Sequence, residues 1–152
     1  MFIKTPKIIV RLAHCDIPCG IYDPLPAQIA AKTVLKMVEQ LNGLEMTDHG
    51  DKNARLGYLN NVSRRIAVKE EHAQLCKKEL EILWSDFFKP EHLEKFPNLH
   101  NTFWQAIKLC SKNKQEVNGE AAQKLVEAVD EIAKIFYEAK NAPSQTQTKT
   151  LA

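Results

Sequence analysis

Apolar positions recur at helical spacing through most of the chain. From Ala27 to about Leu41 the residues Ile29, Val34, Met37, Val38 and Leu41 fall on one helical face, and Asn42-Gly43 supplies a C-terminal stop. Glu45 to Lys52 is polar and contains glycine. Beyond it, Leu59, Val62, Ile66, Ala73, Cys76, Leu80, Leu83 and Phe87 alternate steps of three and four, with Lys69 at the one skipped position. That spacing predicts one long helix of bundle type, ended before Pro90. A third helix is expected from about Pro97 to Cys110, with Leu99, Phe103, Ala106, Ile107 and Cys110 on one side. A fourth opens near Glu120, after Asn118-Gly119, and carries Ala122, Leu125, Val129, Ile132, Phe136 and Ala139. Four amphipathic helices with no strand alternation predict an all-α fold, an antiparallel four-helix bundle with an irregular N-terminal hook.

The hook is the segment from His14 to Pro26, where Pro18, Gly20, Pro24 and Pro26 exclude regular helix and central strand. Residues 1–13, MFIKTPKIIVRLA, are unlike a secretory signal. Their longest apolar run is Ile8-Ile9-Val10, well short of a roughly 7–15-residue apolar core, and Arg11 stands near the end where a small residue is needed. They read as a pro-segment. The polar tail, residues 141–152, is expected to be disordered. The expected organisation is therefore a leader over 1–13, one bundle domain over 14–140 and the tail.

Composition narrows the function further. At 152 residues, 44% hydrophobic and 26% charged, the chain is long enough for one domain with its own core. A net charge of +2 gives no case for nucleic acid, and no run approaches the roughly 18 apolar residues of a membrane span. Four cysteines, Cys15, Cys19, Cys76 and Cys110, are too few and too uneven for a disulfide-stapled secreted scaffold, so a reducing, cytoplasmic setting is expected. Cys76 and Cys110 lie on apolar helical faces and read as small core residues.

The candidate chemistry is in His14-Cys15-Asp16-Ile17-Pro18-Cys19-Gly20-Ile21-Tyr22-Asp23-Pro24. Two thiols and an imidazole within six residues can converge on one metal. A bare Cys-x-x-x-Cys pair is equally compatible with ordinary thiols or a redox disulfide, and no second Cys/His pair completes a zinc set. If proteolysis frees the His14 amine, that amine, the Cys15 amide nitrogen and the Cys15 thiolate form two fused five-membered chelate rings, and Cys19 fills the fourth corner. Such a planar set of two nitrogens and two sulfurs suits Ni(II) or Cu(II) and not Zn(II), with the His14 imidazole available as an axial ligand. Without cleavage a nickel or copper carrier using the thiols alone, or a helical interaction protein without metal, remain the competing readings.

This hook resembles that of the nickel-containing superoxide dismutases almost residue for residue. The resemblance continues through Leu83-Trp84-Ser85-Asp86-Phe87-Phe88-Lys89-Pro90, Phe96-Pro97 and Leu99-His100, and spans His14 to about Lys140. It implies disproportionation of superoxide to dioxygen and hydrogen peroxide, and one nickel per subunit cycling between +2 and +3. It also implies a homohexamer, and a maturation peptidase that cuts between Ala13 and His14. By the match, His14 supplies amine and imidazole, Cys15 amidate and thiolate, and Cys19 a thiolate. Tyr22 is expected at the mouth of the site, and the backbone of Asp16 along the anion's approach. Lys89 is the candidate cation for drawing superoxide in. Two positions depart from the family. The glutamate that members often place behind the axial imidazole falls at Ala30, and its arginine partner at His72, so His72 is the candidate to orient His14 instead.

Overall fold

The computed structural model describes residues 21–141, and among these every regular element is helical. Four long helices form the bundle: α1 (Leu25–Asn42), α2 (Lys52–Ile82), α4 (Leu99–Gln115) and α5 (Gly119–Lys140). A π-helical turn, Leu83–Phe87, continues α2, and a single-turn helix α3 (His92–Lys95) precedes α4. Around the bundle α1 packs on α2 and α5, and α4 packs on the same two helices from the opposite corner.

Local chemistry sets the helix ends. The Asp51 carboxylate accepts from the amides of Asn53 (3.2 Å) and Ala54 (2.8 Å), opening α2, and the Asn118 side chain accepts from Ala121 N (3.0 Å), opening α5. Gly43 closes α1 through its amide to Glu39 O at 3.1 Å. Phe88, two residues before Pro90, is extended and closes the π-helical turn, its amide donating to Leu83 O at 3.2 Å.

Long-range pairs show that neighbouring helices run antiparallel. Arg65 Nε donates to Gln40 Oε1 at 3.0 Å between α2 and α1, and Gln28 Nε2 donates to Asp130 Oδ1 at 2.6 Å between α1 and α5. Between α2 and α4, Lys69 reaches the carbonyls of Asn113 and Lys114, and the Trp84 ring stacks on Phe103. The core between them is aliphatic and alanine-rich at the α1 side, with Ala27, Ala30, Ala31, Val34 and Val38, and aromatic at the end where α2 finishes. Cys76 and Cys110 are fully buried in it, as expected of small core residues.

Three expectations are corrected. The register assigned to α2 holds from Ala73 onwards, but Leu59 and Ile66 are exposed, because α2 outruns its neighbours: Leu59 lies beyond the end of α1, and Ile66 beyond the end of α4. Lys69, the skipped position, is buried: its ammonium donates to the last-turn carbonyls of α4 and to Glu70 Oε1 at 3.0 Å. The third helix starts at Leu99 and runs on to Gln115, and α3 precedes it. The leader (residues 1–13) and residues 142–152 of the tail lie outside the described residues.

Candidate metal centre

The chain enters the bundle at the end where α1 begins, α2 finishes in its π-helical turn, α4 begins and α5 finishes. His14, Cys15, Asp16 and Cys19 lie outside the described residues; the root of the hook, from Ile21, lies within them. Pro24 is buried, and the Asp23 carboxylate accepts from Leu25 N at 2.8 Å, fixing the turn into α1. The same carboxylate oxygen faces the Tyr137 hydroxyl of α5 at 3.4 Å. That hydroxyl titrates above the ordinary tyrosine value, first through desolvation and then through the Asp23 charge.

Tyr22 is half-buried against the core, its ring tilted at 58° to Phe87 with centroids 5.9 Å apart. Phe87 in turn meets Phe136 (4.3 Å), Phe88 (4.9 Å) and His92 (5.8 Å). The π-helical turn thus puts Phe87 at the centre of an aromatic cluster with the hook root on one edge. A cavity of about 150 Å³ lies beside that root, lined by Ile21, Tyr22, Asp23, Pro26, Glu79, Ile82 and Leu83.

Lys89 follows two residues after Phe87. Its backbone amide donates to His92 Nδ1 at 3.0 Å, which holds the chain through Pro90, while its side chain is exposed and has no ion-pair partner among the described residues. Tyr22 and the Lys89 segment are therefore brought to one end of the bundle. His72 is further along α2, about two turns from Glu79. Its Nδ1 is buried and has no hydrogen-bond partner among the described residues. Residues 40 and 65 pair across the α1–α2 seam, and Pro26 and Glu79 line one cavity, a register that puts position 72 within about one turn of the fully buried Ala30.

Sequence reasoning missed Phe87, Phe136, Tyr137 and Asp23 as anchors of the hook root. An Asp-Pro pair opening a helix was the available signal for Asp23; Tyr137 had none, being 114 residues away. His92 and His100 are structural, the second accepting from Trp84 Nε1 at 2.8 Å. Trp84 packs on the core, whereas Trp104 is exposed.

Among the described residues no group of three or more His, Cys, Asp or Glu side chains is placed to hold a metal. His14, Cys15 and Cys19 carry, by their chemistry, nitrogen and sulfur donors of the kind that suits a square-planar metal. The described fold is a helical bundle whose N-terminal sequence carries these candidate donors. The family profile described as nickel-containing superoxide dismutase matches residues 10–140. The chain is 38% identical over 138 residues to the nickel superoxide dismutase of Streptomyces seoulensis, covering 91% of this chain and 95% of that one. Identity to the Streptomyces coelicolor protein is 37% over the same length. A crystal structure of nickel-containing superoxide dismutase in its oxidised ligation state superposes with a TM-score of 0.73 at 37% identity, covering 85% of this chain and 100% of that one. The native enzyme gives 0.72 at 36%. The chain belongs to the nickel-containing superoxide dismutases.

Proposed function

We propose that this protein disproportionates superoxide at a nickel centre built from the first residues of a chain that begins, after proteolysis, at His14. The observation that carries the reading is the donor set of the hook, in a chain whose family membership covers both hook and bundle. The His14 amine and imidazole, the Cys15 amidate and the thiolates of Cys15 and Cys19 are the groups that would hold the nickel. Nickel, when bound, supplies the one-electron couple by which one superoxide leaves as dioxygen and a second, with two protons, leaves as hydrogen peroxide.

The remaining residues position and admit. Tyr22, its ring held by Phe87, stands at the mouth, and the Asp16 backbone lines the anion's approach. Lys89 has no competing ion-pair partner among the described residues and raises the local concentration of a small anion. His72 orients the His14 imidazole in place of the family's glutamate and arginine. Two facts support this role: a buried Nδ1 with no hydrogen-bond partner among the described residues, and reach. Seven residues, 14–20, span up to about 23 Å when extended, and His72 lies about 10 Å along α2 from the residues lining the hook-root cavity.

Leu56 and Leu59 on the overhanging first turns of α2, and separately Ile66 further along α2 and Trp104 on α4, are exposed apolar residues among the described ones. These residues support a homohexamer in which sister subunits cover them. A peptidase that cuts between Ala13 and His14 completes the maturation, in the cytoplasm. No described helix is long and apolar enough to cross a membrane.

The test is the rate of superoxide loss catalysed by the chain beginning at His14 and loaded with nickel, copper or zinc in turn. Rapid loss proportional to bound nickel, and absent with zinc, is expected. Stoichiometric nickel binding without accelerated loss would make the protein a carrier and overturn the reading.

A further inference from the structure

The α2–α4 seam carries two thiols that the nickel site does not use. Cys76 and Cys110 are both free and fully buried. Their positions face one another: along the antiparallel seam Lys69 meets Asn113 and Lys114 on one side of them, and Trp84 meets His100 and Phe103 on the other. Both sit in the same core cluster, one on each helix of the seam. Two thiols at facing positions of one seam, in the core of an enzyme whose product is an oxidant, are candidates to join.

We propose that Cys76 and Cys110 are a modification site, oxidised by the hydrogen peroxide this enzyme produces to an intrachain disulfide that ties α2 to α4. One sulfur, as thiolate, attacks the peroxide O–O bond and becomes a sulfenic acid, with one oxygen leaving as water after protonation. The second thiol then displaces the sulfenic oxygen as a second water and closes the S–S bond. Overall the two sulfurs lose two electrons and two protons, and one peroxide becomes two waters.

The closed bundle restrains this chemistry. The Cys110 side chain first, and burial second, push the Cys76 thiol well above its ordinary titration range, so little thiolate exists while the seam is shut. Oxidation therefore proceeds through local opening of α2 from α4 and stays slow in an intact core. The inference rests on the dismutase reading for the source of peroxide. Its test adds peroxide as a reagent, so the two fail separately.

The nickel-loaded mature protein is incubated with hydrogen peroxide, quenched, alkylated in denaturant and digested with trypsin. A linked pair of peptides, Glu70–Lys77 joined to Leu109–Lys112, is expected at two hydrogens below the sum of their masses, and dithiothreitol separates them. The rate should level off at high peroxide and rise in urea too dilute to unfold the protein. Closing a loop of about 35 residues should raise the helical unfolding midpoint by roughly 5–10 °C. Cys110→Ala should lose both the link and the shift, with dismutase activity kept. If Cys110→Ala does not fold, the wild-type peptide map decides alone. Full alkylation of Cys76 and Cys110 after a peroxide dose that oxidises Cys15 and Cys19 overturns the proposal. Sulfinic acid on Cys76 without a link does so equally.

Discussion

Lys69→Met removes the one ammonium that the bundle buries among its described residues, while keeping the length of the aliphatic stem. The side chain is 2% exposed and its Nζ serves three acceptors: the carbonyls of Asn113 and Lys114, the latter at 3.1 Å, and Glu70 Oε1 at 3.0 Å. The Glu70 contact contributes little, about 0–1 kcal/mol, because Glu70 is 39% exposed and its carboxylate is readily rehydrated. The two carbonyls matter more. They close the last turn of α4, where no intrahelical donor remains, and leaving buried acceptors without a donor costs about 1–3 kcal/mol each. Relief of the buried ammonium's own desolvation offsets part of this. The net expectation is a loss of about 2–3 kcal/mol, a fall in midpoint of roughly 6–12 °C for a chain of this size. Urea unfolding followed by circular dichroism at 222 nm, at one fixed protein concentration, measures it. Activity per folded molecule should not change, since Lys69 lies at the end of the bundle away from the hook root. Stability equal to or above wild type would refute the reasoning, and show that the ammonium's desolvation outweighs the carbonyls it caps.

Cys15→Ser and Cys19→Ser should each abolish activity and leave helicity and thermal stability nearly unchanged; a large stability loss in either would mean that the hook helps build the core. His72→Ala should take up nickel normally but lower turnover, roughly 10–100-fold, and alter the Ni(III) EPR spectrum. An unchanged spectrum and rate would leave His72 without a role at the metal. Cys76→Ser should cost on the order of 1–3 kcal/mol by burying a hydroxyl in a packed seam, with full activity per folded molecule in a superoxide assay.

Helices α4 and α5 were legible because their apolar stripes are covered by neighbours, so the 3.6-residue period and the burial coincide; on α1 Val34 and Val38 are buried but Ile29 is exposed, and Ala27, Ala30 and Ala31 complete the buried face instead. The early turns of α2 were misread for the complementary reason. A step of three and four marks a face but not what covers it: Leu59 lies beyond the end of α1, while Ile66, still level with α1, lies beyond the end of α4. The π-helical turn was invisible: six of the nine residues from Leu80 to Phe88 are apolar and leave no period whose widening could show. At the site, the proposed metal donors rest on their adjacency in sequence and on chelate rings counted bond by bond, and they lie outside the described residues. The anchors were not legible, since the Tyr22–Phe87 and Asp23–Tyr137 contacts join residues from opposite ends of the chain.

The central claim is that the nickel site exists only once the His14 amine is free. Native mass spectrometry of the active protein tests it most directly, because one spectrum reports the N-terminus and the bound metal of the same molecules. Chains that begin at His14 and carry one nickel each, beside metal-free chains that retain residues 1–13, are the predicted result. Chains that retain the leader, bind nickel and disproportionate superoxide as fast as the cleaved form would contradict it.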